Sequence, residues 1–227
     1  MTITEIIFLC LGDSLTAGYP GYSPSNDGIS NGSGNIRSQY EYWLKKFCLD
    51  YLEMNLGSLE DDIIENLIFI NKGIPGELTG QFLSRIESDL LNVKPEPEYS
   101  IILGGTNDLG WGISLEKILN NIKDLHTISR DAGIISIGGT IPPILYESSE
   151  GGYHDQKMKI NKMLSSYFRE NNIPFVDLYS GMSDDQGNLK KQYAYADGLH
   201  FSVDGYKQMA QALYKDVIKA IIQKKYL

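Results

Sequence analysis

Residues 6–19 read IIFLCLGDSLTAGY. An apolar run stops, and Gly12-Asp13-Ser14-Leu15 follows without a spacer. Packing at a strand end needs neither a hydroxyl nor a carboxylate. A serine hydroxyl is a weak nucleophile by itself and needs an adjacent base. Three histidines are available, His126, His154 and His200. Only His200 lies in a loop with further polar residues, DGLHFSVDGY, three positions after Asp197. At that spacing a carboxylate can hold one ring nitrogen and fix the tautomer while the other serves a hydroxyl. His126 sits beside Leu125 in an amphipathic pattern and reads as a packed or surface residue. His154 adjoins Asp155 and reads as solvated. Asp204 competes with Asp197 as the partner of His200, but near a helix start it fits better as a complement to the helix dipole.

These residues need elements to carry them. Near-continuous apolar runs recur at 6–11, 67–71, 99–105, 134–139 and 174–178. Such runs fit strands covered on both faces, as in a parallel sheet. Helical periodicity fills the gaps. Ser38 with Glu41 predicts a capping box ahead of Trp43, Leu44, Phe47 and Tyr51. Further helices are predicted after Thr79, after Ser114 up to Gly133, over Ile160 to Phe168, and after a Ser202 cap. Strand and helix alternate throughout, which predicts a three-layer α/β/α sandwich of flavodoxin-like type with about five parallel strands. At 227 residues, with no linker and no internal repeat, the chain reads as one domain, 1–227. Residues 20–37, rich in Gly, Ser, Asn and Pro, and the acidic stretch 56–66 read as irregular. The first is expected to lie beside Ser14 and shape the pocket.

In an open α/β sheet, ligands bind outside the carboxyl ends of the strands. The segments that follow the strands are GDSLTAGY, NKGIPGELT, GGTNDLG, GGTIPP and, after a loop, YADGLHFSVDGY. Four of them, in this order, resemble the blocks of the SGNH hydrolases, the GDSL family of esterases and lipases. The resemblance covers nearly the whole chain. It implies Ser14 as nucleophile, His200 as base and Asp197 as its orienting acid. It also implies an oxyanion hole made by the Ser14 and Gly76 backbone N–H groups and the Asn107 side-chain amide. One such donor is commonly worth about 3 kcal/mol of barrier. Blander readings exist for each: Ser14 as a turn and cap residue, Asn107 in an Asx-turn, Gly76 after Pro75 in a type II turn. A rival nucleophile motif, Gly-x-Ser-x-Gly, occurs as GISNG at 28–32 with Ser30 at its centre. It lacks the strand before and the helix after that such an elbow requires.

Composition narrows the partners. The net charge of −9 disfavours nucleic acid and anionic membrane surfaces. Cys10 and Cys48 read as buried thiols, with no Cys-x-x-Cys spacing for a metal or redox pair. No leader or membrane span is legible, so the expected location is cytoplasmic. There is no Walker A string, no GxGxxG after a strand and no histidine pair at ligand spacing. The expected activity is hydrolysis of a small carboxylic ester, of short acyl or O-acetyl type, with no cofactor or metal. A lysophospholipase, a thioesterase, or a non-catalytic sugar- or acyl-binding module on the same scaffold is the alternative. Tyr19, Tyr22, Tyr193 and Tyr195 flank the site residues in sequence and are candidates to stack on a sugar or line an acyl pocket.

Overall fold

The structure, a computed structural model, describes residues 5–59, 61–146 and 152–227. Five strands form one parallel sheet: β1 (Ile6–Gly12), β2 (Leu67–Gly73), β3 (Tyr99–Leu103), β4 (Ile135–Gly139) and β5 (Phe175–Val176). Their spatial order is β2-β1-β3-β4-β5. This is the doubly wound order expected from the alternating sequence pattern. All seven residues of β1 are buried. Ile6, Phe8 and Cys10 enter one core layer, and Ile7, Leu9 and Leu11 enter the other. A strand buried on both faces has no polar side to show, which is why its sequence is continuously apolar.

The first layer is covered by α2 (Tyr40–Leu56), the short α8 (Leu178–Met182), α9 (Val203–Leu213) and α10 (Lys219–Tyr226). The second is covered by α4 (Thr79–Ile86), α6 (Leu115–Asp131) and α7 (Tyr153–Glu170). Ser202 caps α9 as expected, accepting the Gly205 N–H, and Ser114 caps α6 in the same way, accepting the Lys117 N–H. The capping box expected at α2 does not form. Its N-cap is Gln39, and Ser38 ends a 3-10 turn, Ile36–Ser38. Glu41 turns inward beside Cys10 and Tyr40, and burial pushes its carboxyl well above the usual range. The fully buried residues of α2 are Tyr40, Glu41, Leu44, Cys48 and Leu52; of the stripe read from the sequence Leu44 is among them, and Trp43, Phe47 and Tyr51 pack half-buried against the same core. Cys10 and Cys48 are free, buried thiols.

The two stretches read as irregular are more ordered than expected. Asp61–Asn66 is a short helix, α3, leading straight into β2. Within 20–37, Tyr22–Ser23 pairs with Ser33–Gly34 in an antiparallel ribbon. The segment between folds over the outer edge of β2: the Asn71 N–H donates to Gly28 O at 2.9 Å, and Lys72 Nζ to Asn26 O at 2.8 Å. It thus covers an otherwise unpaired sheet edge, a position that exposed strands need protected. With α2 it walls a cavity of about 600 Å³ whose lining includes Tyr22, Tyr42, Lys45 and Phe69 but neither Ser14 nor His200. The loop expected to shape the pocket beside Ser14 therefore walls a different cavity.

The register sets the working edge. Gly12 pairs with Gly73 on one side and with Leu103 on the other, so three strands end side by side. The helix that follows β1, α1 (Ser14–Ala17), folds back closely on this edge. A Cβ on Gly12 would clash with Thr16 Oγ1 and lie 2.7 Å from the carbonyl oxygen of Leu103. Thr16 can rotate away, but Leu103 O is backbone. Gly12→Ala should therefore destabilise the fold by about 1–3 kcal/mol, read as a lower urea midpoint. An unchanged midpoint would show that the turn relaxes without strain.

Candidate active site

Asp13 starts α1 as its N-cap, with its carboxylate accepting the Leu15 N–H at 2.9 Å. Gly18, in the left-handed region at φ 90°, ends the helix after one turn. Ser14 therefore occupies the first position of a helix set directly on a strand end, where backbone N–H groups lack intrahelical partners. Its side chain meets a residue from the far end of the chain. Ser14 Oγ lies 2.9 Å from His200 Nε2. His200 Nδ1 lies 2.7 Å from Asp197 Oδ2.

The turn that holds this pair is built locally. Ala194 and Phe201 form an antiparallel bridge, and the Tyr195 N–H donates to His200 O at 2.8 Å. Within the loop, Asp197 Oδ1 accepts the N–H groups of Leu199 and His200 at 3.0 and 2.9 Å. Burial alone would raise the Asp197 carboxyl, but the hydrogen bonds from His200 and Leu199 outweigh it and hold the group below its ordinary value. Asp197 thus stays ionised across the neutral range, while the His200 side chain is only 12% exposed. Asp204 lies instead in the first turn of α9, as the dipole reading expects.

Gly76 and Asn107 come from the two neighbouring strand ends. Gly76 has φ +84°, a conformation that a side chain would strain. Asn107 lies in the one-turn helix α5 (Thr106–Gly110) after β3. Its Nδ2 donates one hydrogen to the carbonyl of Glu77, the residue after Gly76, at 2.9 Å. That bond fixes the amide plane and leaves the second hydrogen for another acceptor. The adjacent Asp108, 1% exposed, accepts the N–H and the hydroxyl of Thr79, with Thr79 Oγ1 at 2.6 Å. Asn121 Nδ2 donates to the same hydroxyl at 2.9 Å. The loops carrying Gly76 and Asn107 are therefore joined twice.

Other candidates separate cleanly. Ser30 is exposed and hydrogen-bonds Asp27. His126 is 1% exposed, pairs with Ser136 Oγ at 2.7 Å, and burial pulls its pKa down to about 3. His154 is half-buried beside Tyr179. Of the four flanking tyrosines, Tyr19 packs edge-on against the His200 ring at 4.7 Å, and Tyr195 is joined to His200 through the backbone. Tyr22 is buried and accepts the Gly32 N–H, and Tyr193 packs against the core. Tyr206, which closes the DGLHFSVDGY string and carries no expected role there, donates its hydroxyl to Tyr19 O at 2.6 Å and ties α9 to the loop after Ser14. Asp13, Thr79 and Asp108 stand in the segments singled out in the sequence, but their bonds to other residues are not legible there. Each is a small polar residue at a helix start, a cap signal that says nothing of a neighbouring loop.

Residues 10–208 match the GDSL-like lipase/acylhydrolase family. The chain belongs to this family. A lipase/acylhydrolase from Enterococcus faecalis superposes with a TM-score of 0.69 at 23% identity, covering 95% of this chain and 96% of that one. An acetylxylan esterase from Geobacillus stearothermophilus gives 0.68 at 19% identity, with the same coverage. At these identities both likenesses concern the fold. Among curated proteins, an N-acylneuraminate cytidylyltransferase of Streptococcus agalactiae is 30% identical over 119 residues. The match takes in 52% of this chain and 28% of that protein. No described helix is long and apolar enough to cross a membrane.

One carboxylate at this edge behaves opposite to Asp197. Asp13 is 2% exposed, and burial pushes its carboxyl up to about 7. The Leu15 N–H opposes that shift, and the charges of Asp108 and Glu77 add to it. Its ordinary value is 3.8, so between about pH 4 and 7 the folded state holds more protons than the unfolded one. Stability from this group is present at low pH and is lost as pH rises through that window. Asparagine caps as well as aspartate and does not ionise. Asp13→Asn should match the parent near pH 4 and melt progressively higher than it up to pH 8. Parallel melting curves across that range would place Asp13 in a more polar setting.

Proposed function

We propose that this member of the GDSL-like family is a serine hydrolase of small carboxylic esters, working through an acyl-enzyme. The observation that carries the reading is the Ser14–His200–Asp197 relay, with links of 2.9 and 2.7 Å, set at the carboxyl edge of the sheet. His200 Nε2 takes the Ser14 proton as Oγ attacks the ester carbonyl. Asp197 accepts the Nδ1 hydrogen, keeps Nε2 free to act as base and stabilises the imidazolium that forms. The oxyanion receives the Ser14 and Gly76 N–H groups and the free Asn107 amide hydrogen. His200 then protonates the leaving alcohol. Water, activated by the same imidazole, releases the acid and restores Ser14. Every proton and charge in this sequence has a protein group to carry it, so the mechanism calls on no cofactor or metal.

For the substrate we favour a short acyl or O-acetyl ester on a sugar. No long apolar lid is evident in the sequence. One structural relative is an acetylxylan esterase, and the curated relative is named for a reaction of an N-acylneuraminate. Both are sugar settings. Tyr19, beside His200 and 43% exposed, offers a ring face to such a group.

A fluorophosphonate needs a base and an oxyanion hole, not merely an exposed hydroxyl. It should label the Ser14 peptide stoichiometrically, fail with Ser14→Ala and persist with Ser30→Ala. An adduct on Ser30 would sink the assignment. On a chromogenic acetyl ester, Asn107→Ala should lower kcat by about a hundredfold or more with KM little changed. Normal turnover in a folded Asn107→Ala protein would remove that amide from the oxyanion hole. A panel of acetylated sugars and acyl lengths tests the substrate reading, which fails if long-chain lipid esters are preferred.

A further inference from the structure

We propose that Arg85 is a positioning residue: its guanidinium clamps the end of β1, just before Ser14, to the Gly76–Glu77 loop and through Glu77 to Asn107. The proposal rests on the ester-hydrolase reading for its catalytic consequence and on geometry alone for the clamp.

Arg85 projects from α4 and is 12% exposed at its side chain. Its Nε and Nη2 both lie 2.7 Å from Glu77 Oε2. Nη1 donates to Asp89 Oδ2 at 2.8 Å, in the π-helical turn Glu87–Leu91 that continues α4. Nη2 also donates to the carbonyl of Gly12 at 3.0 Å. Three separate segments therefore converge on one planar cation. Gly12 stands two residues before Ser14, and its carbonyl also takes the Ile74 N–H at 3.0 Å. Glu77 follows Gly76, and its own carbonyl holds the Asn107 amide at 2.9 Å. The guanidinium carbon lies 5.5 Å from the centre of the Phe82 ring. That ring fills the space where Gly104 has no side chain, at the root of the Asn107 loop.

The arrangement suits arginine and not lysine. A guanidinium offers five N–H donors in a rigid fork, so it can serve two carboxylates and a carbonyl at once. An ammonium is a point charge on a flexible stem. The Glu77 side chain is also only 12% exposed, so removing its partner would strand a charge in a poorly solvated place. The functional consequence follows from distance. Oxyanion donors act only within hydrogen-bond reach of the developing charge, and a misplacement of about 1 Å can cost about a hundredfold in rate.

The test compares the full chain with Arg85→Lys, Arg85→Met and Glu77→Gln, which keeps the backbone carbonyl used by Asn107. Hydrogen exchange needs no substrate. It should rise in the peptide spanning 74–78 in all three variants, while β1 and α6 peptides keep their protection. If Arg85→Met does not fold, the other two carry the comparison. On the chromogenic ester, Arg85→Lys should lower kcat by about tenfold to a hundredfold with KM changed by less than about twofold. In an Asn107→Ala background that loss should shrink, because the clamp acts through the same hole. Unchanged loop exchange, or full additivity with Asn107→Ala, overturns the proposal. If the loop loosens but the parent protein hydrolyses no ester, the clamp stands and the esterase reading falls.

Discussion

The hydrogen bond between His200 Nε2 and Ser14 Oγ joins residues 186 positions apart. Nothing local holds them together. The bond exists because two rigid pieces are docked at a fixed offset. One is the end of β1 with the single turn of α1 pressed on it. The other is the Asp197–His200 turn, closed by the Ala194–Phe201 bridge and anchored by α9. The dock runs through the core, where α9 packs on α2 and the buried Tyr206 reaches Tyr19 O. Close-packed interiors deform little, so a contact made at the sheet edge inherits the rigidity of the layer beneath it.

The same edge holds several carboxylates, and their surroundings divide them. Asp197 receives two backbone N–H groups and an imidazole, and stays below its ordinary pKa. Asp13 receives one backbone N–H, is almost fully buried, and faces the charges of Asp108 and Glu77. It is pushed up to about 7. Asp13 is almost fully desolvated whereas the Asp197 side chain is 41% exposed, so burial wins in one group and the hydrogen-bond donors win in the other. The acid that faces the His200 ring has donors close by. The acid that merely starts a helix is left to compete with its neighbours.

Much of the architecture is legible from one-dimensional patterns. Each continuous apolar run contains a strand, since a strand covered on both faces must be apolar throughout. The Ser202 cap holds because capping is a bond to residues two or three positions away. The failures share a cause. Ser38 and Glu41 have the spacing of a capping box, yet Glu41 is drawn into the core beside Cys10 and Tyr40, an environment supplied by β1. The loop at 20–37 has turn composition, but its course follows the unpaired edge of β2, which exists only once the sheet is built.

What the sequence by itself determined is therefore what depends on near neighbours: strand and helix order, the residues available at each strand end, and the Asp197 turn that holds His200. Tertiary structure alone decided which strand ends lie side by side, with Gly12 between Gly73 and Leu103. It decided that Arg85 reaches Gly12, and that one carbonyl of Glu77 holds the amide of Asn107. Those contacts span tens of residues and leave no periodic trace. Their strength comes from a fixed geometry in a poorly solvated place, and that place is created by packing rather than by any stretch of chain.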